Sequence, residues 1–152
     1  MFVVAREKKL VLRTNRVKEI LDSIPHAKEF NHCGEKYIAV EHGVEESLVL
    51  KNLGFKKVLA PILSYYNWPA RFKPMDLQKK TSAFLTTNKR ALCLNDPGTG
   101  KSIAALWAAD FLMEVGVINR VLIVCPLSTV KVVWGKEIRH HLPHRSFELL
   151  VG

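Results

Sequence analysis

"ALCLNDPGTGKS", residues 91–102, is the stretch on which the reading of this chain turns. Ala91 to Leu94 form an apolar run of the kind that makes a buried strand. Gly98 and Gly100 follow, then Lys101 and Ser102, which open "KSIAALWAADFLMEVG", a helical pattern ended by Gly116. Strand, glycine-bearing turn, Gly-Lys-Ser and helix together fit the pattern G-x-x-x-x-G-K-[ST], with Asn95 in place of the first glycine. Each part has a physical task. Glycines reach positive φ without strain, so successive N–H groups can turn inward toward an anion. The helix after them adds the positive end of its dipole. The Lys101 ammonium suits the β- and γ-phosphates of a nucleotide, and the Ser102 hydroxyl suits a phosphate-bound Mg2+. A glycine-rich turn that merely happens to precede a lysine would have to produce all four features by coincidence.

Downstream, "RVLIVCP" reads as a second buried strand, "STVKVVWGKEIRHHL" as a helix N-capped by Ser128, and "FELLV" as a third strand. Upstream, "DLQKKTSAFLTTN" reads as a helix with Leu77, Thr81, Phe84 and Leu85 on one side. Nearly continuous apolar strands alternating with helices predict an α/β fold over 75–152, a parallel sheet with helices on both faces. "APILSYYNWPARFKP" carries three prolines and a cluster of Tyr65, Tyr66 and Trp68, and places a linker at 61–74. Residues 1–60 read as a small α+β domain. "FVVAREKKLVLRTN" gives one or two strands. "RVKEILDSI" is a helix capped by Asn15 and stopped by Pro25. "EKYIAVE" is a further strand, and "VEESLVLKNLGF" a helix stopped by Gly54.

The net charge of +9 is uneven: eleven basic residues to eight acidic in 1–70, and twelve to six in 71–152. Such an excess favours a polyanionic partner. Cys33, Cys93 and Cys125 are odd in number and widely spaced, which argues for reduced, buried thiols rather than disulfides or a zinc site. No apolar run approaches the length that spans a bilayer, and the N-terminus lacks a signal-peptide core, so an intracellular soluble location (cytoplasm, nucleoid or nucleus) and no membrane partner are expected. "RHHLPH" offers several metal-ligating side chains but reads better as a solvated helix end.

Three stretches resemble the first motor domain of superfamily-2 helicases, most closely the SNF2-like DNA translocases. "FKPMDLQKKTSAFL" is similar to the family's leading helix, where a glutamine following a proline recognises adenine; here that is Gln78, 23 residues before Lys101. "ALCLNDPGTGKS" is similar to motif I, with Asp96 matching the acid of some members and Pro97 replacing a usual methionine. "VLIVCPLSTVKVVWGKEI" is similar to motif Ia, whose loop touches the nucleic-acid backbone. The resemblance implies a partial RecA-like sheet and binding of ATP with Mg2+. It places ATP at Gln78, Asp96, Gly98, Thr99, Gly100, Lys101 and Ser102, with Ser102 on the metal, and DNA at Ser128, Thr129 and Lys131. The physics is compatible: an amide carries the donor and acceptor that adenine needs, and hydroxyls at a helix start suit phosphate oxygens. A surface role for Gln78 and plain N-capping for Ser128 and Thr129 stay open. Trp134 and Glu137 read as packing and charge pairing.

Residues from "VKEILDSIPHAKEF" to "NLGF" resemble the small domain that precedes the motor in annealing-helicase (HARP-type) remodellers, which implies branched or junction DNA as a partner. Phe30 and Tyr37 are stacking candidates there, with core packing the better-supported role. Phosphoryl transfer also needs an acid for Mg2+, a water-orienting residue and a cation for the developing charge. In the resembling family these come from an Asp-Glu motif on a later strand and from a second motor domain. No residue here matches them. The chain is therefore expected to be the N-terminal part of an SNF2-like translocase that binds ATP and DNA without turnover by itself, partnered by the remainder of the motor or a second motor domain. The alternative is a naturally short, non-catalytic module that binds nucleotide, DNA or a partner as a competitor or inhibitor. A P-loop enzyme of another family, such as a small kinase, is disfavoured by the missing acidic motif and lid.

Overall fold

The computed structural model describes residues 1–68 and 73–150, and the chain divides into two units, Met1–Tyr65 and Tyr66–Gly152. In the first unit the apolar runs of "LVLR" and "YIAV" pair with each other. Strand β2 (Lys9–Arg13) runs antiparallel to β4 (Glu35–Glu41), with Leu10 opposite Val40 and Leu12 opposite Ile38. Period-two alternation puts these four on one face. Helix α1 (Val17–Ser23) adds Val17 and Ile20, Ile24 follows it, and α2 (Val44–Asn52) adds Leu50. All eight are buried in one cluster, and burial of each aliphatic side chain stabilises by about 1.5–3 kcal/mol.

The sheet is fully antiparallel, in the order β1-β2-β4-β3, with β1 at Phe2–Val4 and β3 at Lys28–His32. A 3-10 turn at Ala5–Glu7, closed by Lys8 at φ 50°, separates β1 from β2. Strand β3 was not legible in the sequence. "KEFNH" has no apolar alternation, all five residues are exposed, and the strand is held at the sheet edge by backbone pairing to β4. Its hairpin turns through Cys33 (φ 50°) and Gly34 (φ 79°), two consecutive left-handed residues as tight hairpins require. Cys33 is thereby exposed, against the expectation of a buried thiol, while Cys93 and Cys125 are partly buried; all three are free. Phe30 and Tyr37 lie outside the core cluster. They stack on each other across β3 and β4, with centroids 5.6 Å apart and planes at 18°. The N-cap of α1 is Arg16 rather than Asn15. It makes no side-chain cap bond, and its guanidinium donates instead to Glu19 and, at 2.7 Å, to the Leu53 carbonyl.

Of the stretch read as a linker, residues 69–72 lie outside the described residues. The part before them is not an open tether: Ala60, Pro61 and Ile62 are buried, and helix α3 spans Pro61–Tyr65. His42, also buried, is paired through Nδ1 with the Tyr65 hydroxyl (2.9 Å) and through Nε2 with the Leu59 carbonyl (2.8 Å).

The second unit is helical where it is regular. Helix α4 covers Asp76–Thr86 and α5 covers Lys101–Glu114. A short turn α6 (Leu127–Thr129) continues through a π-helical segment, Val130–Gly135, into α7 (Lys136–His141). Helices α4 and α5 pack together, and the Ser82 hydroxyl donates to the Ala104 carbonyl at 2.9 Å. Two expectations are corrected here. First, 91–95, 120–126 and 147–150 are neither helix nor strand, and among the described residues the only sheet is the antiparallel one of the first unit; Val151 of the expected third strand lies outside them. A strand is defined by a neighbour at hydrogen-bonding distance, and these segments have none. Their apolar side chains consequently face solvent: Leu92 is 76%, Leu94 80%, Leu122 80% and Val124 86% exposed. Second, Ser128 is not an N-cap. Pro126 holds that position without a side-chain bond, and Ser128 lies inside the turn. No helix among the described residues is long and apolar enough to cross a membrane.

Candidate phosphate-binding loop

The loop between Asn95 and Ser102 is bent by two left-handed glycines, Gly98 at φ 80° and Gly100 at φ 76°. Both conformations are rare for residues with a Cβ. A Cβ on Gly98 would meet nothing within 4 Å, so that part of the loop is open. A Cβ on Gly100 would displace the side-chain amide of Gln78, the movable end of a flexible side chain, so it is the φ that requires glycine here. Between them the Thr99 hydroxyl donates to the Asp96 carbonyl at 2.7 Å and closes the turn. Gly100 is the N-cap of α5, whose fourteen residues start at Lys101. The free N–H groups of this first turn and the positive dipole end therefore lie at the loop.

Lys101 is folded over the loop. Its Nζ donates to the carbonyl oxygens of Asn95 (2.7 Å) and Asp96 (2.8 Å). An ammonium has three donors, so these bonds fix the charge above the loop with one donor to spare. Asp96 is exposed and contributes its carbonyl to the cradle. Ser102 is the second residue of α5, and Gln78 lies on α4 with its Oε1 accepting from the Met75 N–H at 2.9 Å. Gln78, Asp96, Gly98, Thr99, Gly100, Lys101 and Ser102 are thus brought into one neighbourhood. Ser128, Thr129 and Lys131 lie on α6 and the π-helical segment, and no hydrogen bond among the described residues joins them to the loop. Ser128 and Lys131 are exposed, while the Thr129 hydroxyl is engaged with the Pro126 carbonyl at 2.7 Å.

Two constellations were missed from sequence. The Asn95 side-chain amide donates to Thr81 Oγ1 at 2.8 Å, and the Thr81 hydroxyl in turn donates to the Leu77 carbonyl, also at 2.8 Å. Further along α5, Asp110 is buried and receives three donors: the Tyr66 hydroxyl at 2.6 Å, Arg145 Nε at 2.5 Å and His144 Nε2 at 3.0 Å. Burial pushes the Asp110 carboxyl upward, but the bonds from Tyr66, Arg145 and His144 outweigh it and hold the group below the ordinary carboxylate range. Burial, reinforced by the bond to Asp110, drives the Tyr66 hydroxyl far in the other direction. "RHHLPH" is therefore not a merely solvated helix end: its last residue, His144, and Arg145 just after it bond to Asp110, while His141 pairs with Glu137 at 3.2 Å. A lone acid inside the apolar "AALWAADFLM" was the available signal, because a carboxylate on a buried helix face must find partners.

Comparison with known proteins finds no matching family model, no matching curated protein and no matching solved structure.

Proposed function

We propose that this chain binds the triphosphate of ATP at the loop 95–102 and belongs to an ATP-dependent, SNF2-like DNA translocase. The observation that supports this most is the loop itself: two left-handed glycines, an ammonium fixed over the carbonyls of Asn95 and Asp96, and a fourteen-residue helix that starts at the same lysine. These groups present N–H donors, a cation and a dipole to one anion. Gln78 would face the base, Asp96 and Thr99 would border the phosphates, and Lys101 would neutralise them. Among the described residues no group of three metal-ligating side chains occurs. Mg2+ would therefore be carried by the nucleotide's own oxygens with Ser102 as a protein ligand, and it would offset phosphate charge there.

Segments 91–95 and 120–126, unpaired among the described residues, would in this proposal become strands of a partial RecA-like parallel sheet once neighbours are present. Their exposed Leu92, Leu94, Leu122 and Val124 would be covered by the remainder of the motor. Ser128, Thr129 and Lys131 would meet the DNA backbone, and the excess of base over acid in 71–152 would draw the polyanion in. Turnover by these residues alone is not proposed, since no residue matches the Asp-Glu pair and water-orienting group that hydrolysis in the resembling family needs.

Calorimetric titration with Mg·ATP tests the nucleotide part. Saturable binding with Kd between about 1 μM and 1 mM is expected, in the range usual for enzyme ligands; absence of saturable heat up to about 1 mM refutes it. For the DNA part, the affinity for a labelled duplex should fall roughly 40-fold between about 50 and 200 mM salt if about three phosphates are contacted. A flat response removes DNA from the proposal.

A further inference from the structure

The pattern G-x-x-x-x-G-K-[ST] opens on glycine, and this chain has asparagine there. We infer that Thr81 on α4 is the positioning residue that makes Asn95 work in that place. The inference rests on the nucleotide reading for its functional consequence, but its geometry stands alone. Thr81 is buried, and it sits one turn after Gln78 on the same helix. Its single hydroxyl proton is committed to the Leu77 carbonyl, so Oγ1 can only accept from Asn95 Nδ2. That polarity fixes which way the Asn95 amide faces. The Asn95 carbonyl is in turn one of the two oxygens that hold the Lys101 ammonium. Hydrogen bonds therefore link the backbone of α4 through Thr81 to the Asn95 side chain, and, across the covalent frame of Asn95, its main-chain carbonyl to the Lys101 ammonium. At the loop's other end Gln78 lies against Gly100. Helix α4 thus supports the loop at both its first and sixth positions.

A glycine at position 95 would have no side chain to satisfy and no anchor to lose. An asparagine there brings a polar amide into a half-buried place, where an unpartnered donor is unfavourable. Thr81 supplies the partner and converts the side chain into a tether. Aspartate at 95 would forfeit the tether, since it lacks the N–H, and would add negative charge beside the bound phosphates.

A double-mutant cycle between Thr81→Val and Asn95→Gly tests this with two readouts. The first needs no nucleotide: backbone amide order parameters of Thr99, Gly100 and Lys101, measured by 15N relaxation. Values near the rigid limit of about 0.85 are expected in the wild type, falling toward about 0.6 in Thr81→Val and restored in Thr81→Ser. The second is the Kd for Mg·ATP, expected to weaken about five- to tenfold in Thr81→Val, as for loss of one neutral hydrogen bond, and to recover in Thr81→Ser. In the Asn95→Gly background Thr81→Val should change neither readout. Equal effects of Thr81→Val in both backgrounds, or a loop whose order ignores the hydroxyl, would overturn the anchor. If the order parameters follow the cycle while no variant and no wild type binds ATP, the anchor stands and the nucleotide reading fails.

Discussion

Lys101→Ala is expected to weaken Mg·ATP binding about 10- to 100-fold while leaving the fold in place. The ammonium lies on two carbonyl oxygens of the loop, and in the proposed complex it would make a charge-assisted hydrogen bond to a phosphate. One such bond contributes about 1.5–3 kcal/mol, and every 1.4 kcal/mol is tenfold in affinity. Truncation also removes the one side-chain cation that, among the described residues, bonds to the loop's carbonyls. Lysine at this position is partly exposed, so its removal leaves no buried charge unpaired, and thermal unfolding should move little. Calorimetry on the two proteins side by side decides the matter. An unchanged Kd would mean that ATP, if bound, sits elsewhere.

Asp110→Ala should damage stability rather than binding. The carboxylate is 3% exposed and gathers Tyr66, His144 and Arg145 from sequence separations of 44, 34 and 35 residues. Removing one partner of a buried ionic network costs about 3–5 kcal/mol. The lower end is appropriate here, because Arg145 and His144 are partly exposed and can be rehydrated, whereas the buried Tyr66 hydroxyl loses its acceptor. For a unit of this size about 3 kcal/mol lowers the Tm by more than about 10 °C. All three tryptophans, Trp68, Trp107 and Trp134, lie in the second unit, so their fluorescence reports its unfolding selectively. The same group makes this unit acid-sensitive. Its folded-state pKa lies below the ordinary carboxylate value, so its stabilising contribution is complete above the unfolded value of about 3.9. It is lost as pH falls through the folded value. A Tm within about 2 °C of the wild type would show that the network does not hold the unit together.

These two sites differ in how far the sequence exposes them. The loop is local: positive φ at Gly98 and Gly100, the Lys-Ser pair and the helix after them lie within a dozen residues, so pattern and conformation are linked by short-range sterics alone. The Asn95–Thr81 bond spans fourteen residues and exists only because α4 packs along α5, which no spacing rule announces. Asp110 could be recognised as an acid in need of partners, but not which ones. The antiparallel sheet shows the same division. The apolar runs around Leu10–Leu12 and Ile38–Val40 advertise their strands, while "KEFNH" becomes a strand only because β4 has an open edge beside it. The apolar runs at 91–95 and 120–126 carry the reverse lesson. Apolar composition marks a segment that needs burial, but pairing is a property of neighbours, and none of the described residues offers it.

The most direct test of the central claim, that backbone amides around Gly98 and Gly100 hold a triphosphate, is a 15N–1H correlation titration of the full chain with Mg·ATP. The account predicts saturable shifts concentrated on the amides of Gly98 through Ser102, lost in Lys101→Ala. Saturable shifts elsewhere with these amides unmoved would contradict it.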